Sequence, residues 1–293
     1  MKYALIDIGS NTIKIDIFSI DENRRAVLEY HKPRHSRLVS HIKNGSIDPE
    51  GLKELIEAVI EFRATAEDRG CDKIFCFATA AMRKLKDFPT LHDTVLAVTG
   101  IDIDLIPGNR EAELSFNGML AEQPAIDEGL MIDMGGGSTE LVRFRERRIK
   151  TAVSYNFGCL SLADNYAPEN YFTDGSESNI RFYVGDMLSS SGQDITSDTA
   201  VLVGGTAKAA AKLNRELASG GDILTAEEFE NLFALLKTTA GTLRLYELIP
   251  KRAPTVLPGM TAFSEIFITA RIKKIVLSDG GVRRGYLVDK VGI

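Results

Sequence analysis

No stretch of the 293 residues reaches the roughly 18 uninterrupted apolar positions that a membrane-spanning helix needs, so no membrane partner is expected. The opening, Met1-Lys2-Tyr3-Ala4-Leu5-Ile6-Asp7, puts an acid where a secretory signal needs its apolar centre, which points to a cytoplasmic location. Cysteine is scarce. Cys71, Cys76 and Cys159 cannot all pair with one another, and neither a second Cys-x-x-Cys nor a nearby histidine completes a zinc site; reduced core thiols are expected. Basic residues are in deficit: 35 Lys and Arg against 41 Asp and Glu give a net charge of −6, a field that does not gather nucleic acid. A polyanionic ligand therefore has to be held locally, by turn amides, a few placed cations or a metal. What remains is 44% hydrophobic and 26% charged, with 25 glycines and 9 prolines, the composition of a folded enzyme or binding protein. The length suggests two domains.

An apolar strand over Tyr3–Ile8 runs into Gly9-Ser10-Asn11-Thr12, and Ile13–Phe18 then alternates apolar and polar with period two, so the pair reads as a hairpin. A third strand is expected near Ala26–Tyr30. His31, His35 and His41 fall in a loop-like segment without metal-ligand spacing and read as surface residues. A helix is expected from Pro49, a buried strand at Ile74–Ala78, helical stretches around Ala80–Lys86 and Thr90–Thr99, a strand at Ile103–Ile106 and a helix near Asn109–Leu120. The opening then repeats: Gly129–Met134 is a strand ending in an acid, Gly135-Gly136-Gly137-Ser138-Thr139 a turn, Glu140–Phe144 an alternating strand. A gapless shift of 133 − 7 = 126 residues aligns Asp7 with Asp133, Gly9 with Gly135 and Thr12 with Ser138, which implies two similar halves facing one another across a ligand cleft. Thr199–Val203 and Ile275–Leu277 read as further strands, each followed by a glycine turn and a helix, at Ala207–Leu217 and Val282–Val291.

Each glycine turn alone has an ordinary explanation, since these residues favour tight turns. Two acid–glycine hairpins and the strand-to-helix turn Gly204-Gly205-Thr206 in one chain point instead to phosphate, because turn amides line anion-binding concavities. Ser10, Thr12, Ser138, Thr139 and Thr206 add hydroxyls. The pattern is neither a dinucleotide fingerprint nor a P-loop. Asp7 and Asp133 end strands beside these turns, where carboxylates either cap the turn or hold Mg²⁺ or Mn²⁺ through oxygen ligands; Glu140, in the same hairpin as Asp133, can reach the same ion. An acid in a first helical turn, as at Glu111, is usually only favourable with the helix dipole. The basic run Arg143, Arg145, Arg147, Arg148 and Lys150 reads as a solvated face.

Together these motifs resemble the exopolyphosphatase/guanosine pentaphosphate phosphohydrolase family, in the actin, hexokinase and Hsp70-like superfamily. Ile6–Thr12 resembles its first phosphate loop, Ile132–Leu141 its second, Ala78-Thr79-Ala80-Ala81-Met82-Arg83 its segment with a substrate-side arginine, Gly108-Asn109-Arg110-Glu111-Ala112 the segment with its catalytic glutamate, and Ser278–Gly285 its closing motif. The resemblance implies two ribonuclease H-like α/β domains (1–122 and 123–293, the last helix packing back on the first domain) and an interdomain cleft. It implies hydrolysis of a terminal phosphoanhydride of inorganic polyphosphate or guanosine pentaphosphate. Glu111 would activate water, Mg²⁺ or Mn²⁺ would sit at Asp133, Glu140 and Asp7, and Gly9, Ser10, Asn11, Thr12, Gly135, Gly136, Gly137, Ser138, Gly205 and Thr206 would hold phosphate. Lys14, Arg83 and Arg283 are its phosphate partners by motif position, and a homodimer is expected. Asn109-Arg110 and Arg284 stand where the family often has acids, and Lys14 where it often has arginine. Longer members add a C-terminal helical domain that this sequence does not show, which leads us to expect a preference for short polyphosphate. A kinase-like ATPase of the same superfamily and a guanosine polyphosphate sensor are the alternatives.

Overall fold

The computed structural model describes residues 1–123, 125–218 and 220–293. The chain divides into two compact units, Met1–Glu111 with Tyr286–Ile293, and Ala112–Gly285. Each is a mixed α/β layer structure around its own sheet.

The first unit carries β1 (Lys2–Ile8), β2 (Thr12–Ile20), β3 (Ala26–His35), a short ribbon of β4 (Ile42–Lys43) and β5 (Ser46–Ile47), α1 (Pro49–Asp68), β6 (Lys73–Ala78), α2 (Ala80–Arg83), α3 (Phe88–Thr99) and β7 (Asp104–Leu105). Its five-stranded sheet has the order β3-β2-β1-β6-β7, with an antiparallel meander on one side and parallel crossovers on the other. α1 starts where proline is pre-organised for a first helical turn, with Asp48 as N-cap accepting the Gly51 amide at 2.8 Å. Period-two alternation sends Ala4, Ile6, Ile8, Ile13, Ile15 and Ile17 to one face, where Leu55, Val59 and Phe62 of α1 bury them. On the other face Tyr3, Phe75 and Phe77 meet Tyr286, whose hydroxyl donates to Asp104 Oδ2 at 3.0 Å. Burial pushes the Tyr286 phenol up, and the Asp104 carboxylate adds to the shift, so it stays a donor.

β3 corrects the loop reading of the segment that carries His31 and His35, which are exposed as expected. Residues 31–35 form strand, not loop: His31 lies opposite Asp16 in register and its Nδ1 is 2.6 Å from the buried Asp16 carboxylate. Lys32 and Arg34 pair with Glu61 of α1, and Pro33 is tolerated because β3 is an edge strand.

The second unit holds α4 (Gly108–Glu122) from Ala112 onward, then β8 (Gly129–Met134), β9 (Thr139–Arg145), β10 (Arg148–Tyr155), α5 (Cys159–Tyr166), α6 (Asp174–Ser191), β11 (Thr199–Val203), α7 (Gly204–Ala218), β12 (Ile223–Thr225), α8 (Ala226–Lys237), α9 (Thr239–Leu248), α10 (Ala253–Ala270), β13 (Lys274–Leu277) and the start of α11 (Val282–Val291). Its sheet has the order β10-β9-β8-β11-β13-β12. The division falls inside α4 rather than after it, because Ala112, Phe116 and Met119 join Met131, Val142 and Val203 of the second sheet in one apolar cluster. A Cβ on Gly285 would stand 1.7 Å from the Leu114 carbonyl oxygen, so α4 and the start of α11 touch backbone to backbone.

The three cysteines are free; Cys76 and Cys159 are buried and Cys71 half-buried. Burial pushes the Cys76 thiol far up, so it is an inert core group. The basic hairpin is less solvated than its composition suggests, since Arg143 Nε donates to the Thr196 carbonyl and Arg147 Nη2 to that of Leu120. No helix among the described residues is long and apolar enough to cross a membrane.

Candidate active site

In the first unit β1 and β2 are joined by a four-residue turn closed by the Gly9 amide donating to the Thr12 carbonyl at 3.2 Å. The turn carbonyls are tied from outside: Ser36 and Arg37 amides donate to Asn11 O at 3.2 and 3.0 Å, and the Val39 amide to Ser10 O at 3.2 Å. Thr12 Oγ1 lies 3.5 Å from His35 Nδ1. Asp7 and Lys14 face one another across the hairpin, with the Lys14 ammonium 3.5 Å from Asp7 Oδ2.

The second unit repeats this device. Gly135 N–H donates to the Ser138 carbonyl at 2.9 Å, and amides at the start of α5 (Cys159, Leu160, Ser161) donate to Gly135 O and Gly136 O at 3.0 Å. The 126-residue repeat seen in the sequence is thus a repeat of hydrogen bonding, with the turn closed in the same way and braced by a following segment.

The charges beneath the two turns differ. Pairing runs Asp7–Lys14–Pro33 across β1, β2 and β3, and Asp133–Glu140–Ser154 across β8, β9 and β10. Where the first row brings its own cation, the second puts two acids side by side, both buried: Asp133 is 8% exposed and Glu140 1%. Ser154 Oγ donates to Glu140 Oε1 at 2.7 Å, and Ser115 Oγ of α4 donates to Asp133 Oδ2. Gly204 leaves β11 at φ +93°, and a Cβ there would stand 2.8 Å from Asp133 Oδ1. Only glycine admits that turn at that distance from the carboxylate.

Glu111 lies in the first turn of α4, 8% exposed, where the helix dipole favours an acid. Arg83, at the end of α2, holds it through Nη1 at 2.5 Å from Glu111 Oε2, while the same nitrogen donates to Ile106 O at 3.0 Å. The arginine expected on the substrate side thus also holds the glutamate.

Several expectations change with the geometry. Thr139 donates its hydroxyl to Phe157 O at 2.7 Å and is fully buried, so that donor is committed to the fold. Among the described residues no group of three or more His, Cys, Asp or Glu side chains is assembled to hold a metal. Gly205 and Thr206 do open α7, and there sequence reasoning missed a residue: a Cβ on Gly205 would fall 2.2 Å from Arg252 Nη1, so the Arg252 guanidinium lies directly over the glycine turn. The Lys251-Arg252 doublet before Pro254 was the available signal, but many surface doublets look the same. Arg283 is half-buried in the first turn of α11, and Arg284 pairs with Glu122 at 3.3 Å.

The chain matches the Ppx/GppA phosphatase family over residues 33–292. A guanosine-5'-triphosphate,3'-diphosphate pyrophosphatase of Photobacterium profundum is 23% identical over 300 residues, which cover 98% of this chain and 59% of that protein. The chain thus spans less than two thirds of that relative. Among solved structures, the Aquifex aeolicus Ppx/GppA family member superposes with a TM-score of 0.83 at 22% identity, covering 99% of this chain and 97% of that one. An exopolyphosphatase from Cytophaga hutchinsonii superposes at 0.87 and 21% identity, covering 100% and 99%. At such identities the structural likeness is one of fold, the two-domain actin-like α/β architecture. With the family matched over most of its length, the chain belongs to the Ppx/GppA phosphatase family.

Proposed function

We propose that this chain hydrolyses the terminal phosphoanhydride of inorganic polyphosphate or of a guanosine polyphosphate. The observation that carries the reading is the pair of matched glycine turns, one over Asp7–Lys14 and the other over Asp133–Glu140. The names of the relatives, an exopolyphosphatase and a guanosine polyphosphate pyrophosphatase, agree with it.

The donor set at Asp133 and Glu140 fits a hard divalent cation. Mg²⁺ is commonly held by one or two carboxylates, with water and substrate phosphate completing the shell. Two buried acids opposite one another, each with an oxygen oriented by a serine, offer that arrangement. Asp7 does not belong to the set, because Lys14 already neutralises it. When bound, Mg²⁺ (or Mn²⁺) supplies positive charge to the phosphoryl oxygens.

The chain's own residues do the rest. Amides of the turns at Gly9, Ser10, Asn11 and Thr12 and at Gly135, Gly136, Gly137 and Ser138 bind phosphate oxygens at close range. Lys14, Arg252 and Arg283 add cationic contacts, and Gly205 with Thr206 offers a helix N-terminus. Glu111, oriented by Arg83, accepts a proton from water as the water oxygen bonds to the terminal phosphorus. The bridging P–O bond breaks and the shortened polyphosphate leaves. The net charge of −6 argues against retention of long chains and for short polyphosphate. A cytoplasmic setting accords with three free cysteines, and a homodimer with the exposed Phe182 and Ile268 on the packed helices α6 and α10.

The test is phosphate release from short polyphosphate, long polyphosphate, guanosine pentaphosphate and ATP, each with Mg²⁺ and with chelator. Metal-dependent release from the first or third substrate is expected. Tight binding without turnover would replace hydrolysis by a sensor role, and phosphate passed from ATP to an acceptor would make the chain a kinase.

A further inference from the structure

Ser115 is an odd residue for its place. It lies inside α4 with no exposed surface, between Ala112, Phe116 and Met119, which bury themselves against Met131, Val142 and Val203. An apolar side chain would pack better there, and serine is a mediocre helix former. What the position gains is a hydroxyl that donates to Asp133 Oδ2. On the other side of the same carboxylate, the missing Cβ of Gly204 leaves the room that Oδ1 occupies, since one would stand 2.8 Å from it. Glu140 is held likewise, Ser154 donating at 2.7 Å from its register position on β10.

The first unit provides the internal comparison. Its matching row is Asp7, Lys14 and Pro33, where a lysine replaces the second acid and a proline, with no side-chain donor, replaces the serine. The serine therefore accompanies the acid pair and is missing from the row that lacks one.

We infer that Ser115 and Ser154 are positioning residues, their hydroxyls holding the Asp133 and Glu140 carboxylates in the orientation that receives a divalent cation. The inference rests on the metal site of the proposed function. An oxygen that accepts one hydroxyl keeps lone pairs for a cation, and a carboxylate fixed in advance loses less freedom on binding. Groups that orient metal ligands typically change metal affinity 10–100-fold when removed.

The experiment titrates the full chain with Mn²⁺, without substrate, following free metal by electron paramagnetic resonance. Thermal midpoints are measured in chelator alongside. Ser115→Ala should weaken Mn²⁺ binding at least tenfold and raise the Mg²⁺ concentration for half-maximal phosphate release by a similar factor, with turnover at saturating Mg²⁺ within about threefold of wild type. Ser154→Ala should do the same more weakly, since Ser154 is half-buried. Should Ser115→Ala fail to fold, Ser115→Cys keeps the volume with a poor donor and carries the same expectation, while Ser115→Thr, which retains the hydroxyl, should retain affinity. Ser264→Ala removes another buried hydroxyl, on α10 and without a hydrogen-bond partner among the described residues, and should leave Mn²⁺ affinity unchanged. Affinity within twofold of wild type in Ser115→Ala or Ser115→Cys, while Asp133→Asn abolishes binding, overturns the role of Ser115 and leaves the metal site standing. Absence of Mn²⁺ binding in the wild type overturns both.

Discussion

Replacing Glu140 by glutamine should make the metal-free protein more stable while removing its response to metal. Asp133 and Glu140 are opposed residues of an antiparallel pair, both buried. Opposed side chains stand about 5 Å apart at Cβ, and two like charges at that distance repel by about 3 kcal/mol at an effective dielectric constant near 20. Glu140→Gln keeps the shape, can still accept from Ser154, and removes that repulsion. A gain of about 1–3 kcal/mol in chelator is expected, and at about 2–4 °C per kcal/mol the midpoint should rise by several degrees. A cation binding only the folded state stabilises by about 2.7 kcal/mol at one hundred times its dissociation constant, so wild type should rise sharply in millimolar Mg²⁺ and the mutant hardly at all. Thermal melts of both proteins, with chelator and across a Mg²⁺ series, decide the matter. If Glu140→Gln is less stable than wild type in chelator and responds equally to Mg²⁺, the two acids are not a cation site.

Four further outcomes follow from the same geometry. Glu111→Gln should preserve folding and polyphosphate affinity yet lower phosphate release by about 10²–10⁴-fold, the usual loss of a general base, and more than half of wild-type activity would remove Glu111 from that role. Gly285→Ala should cost at least about 3 kcal/mol in urea unfolding, because its Cβ would lie 1.7 Å from the Leu114 carbonyl and helix backbones must separate. Ser264→Ala should raise stability by up to about 1 kcal/mol, since its fully buried hydroxyl has no hydrogen-bond partner among the described residues. The Asp102 carboxylate at 2.7 Å, helped by Asp93, raises the pKa of His92. The stabilisation from that pair is complete below the unfolded histidine value of about 6.5 and fades as pH rises through the higher folded value, a dependence that Asp102→Asn should flatten in urea midpoints measured across pH.

The parts legible in the sequence were those fixed by local spacing. Hairpin β8–β9 could be read from an apolar strand ending in an acid, a glycine turn and an alternating strand, and a tight turn of that length necessarily sets Asp133 opposite Glu140. The end of β3 was illegible for a local reason too: Lys32-Pro33-Arg34-His35 has the composition of a loop, and only its place at a sheet edge, with α1 supplying Glu61, lets those residues be strand. α7 begins at Gly204 rather than Ala207 because the glycine turn is itself the first helical turn. Ser115 and Arg252 left no usable trace. Which face of α4 covers the sheet, and where the start of α10 ends up relative to α7, are set by packing between elements far apart in sequence, and periodicity alone cannot supply that rotation.

The same limit explains why the repeat understated the difference between its halves. A gapless shift aligns Asp7 with Asp133 and Gly9 with Gly135, and on backbone hydrogen bonding the two turns are alike. Yet seven residues past each acid the side chain is lysine in one hairpin and glutamate in the other, which reverses the sign of the neighbouring charge. In the matched row one acid therefore stands beside an ammonium and the other beside a second carboxylate, and on the proposed function only the second would take a divalent cation. The matched hydrogen bonding gives the two hairpins the same backbone frame, and Lys14 and Glu140 give them opposite charges beside the acid. Exchanging those residues, Lys14→Glu with Glu140→Lys, should move divalent-cation affinity away from the second hairpin without regaining it fully in the first, because Pro33 offers no hydroxyl where Ser154 stands.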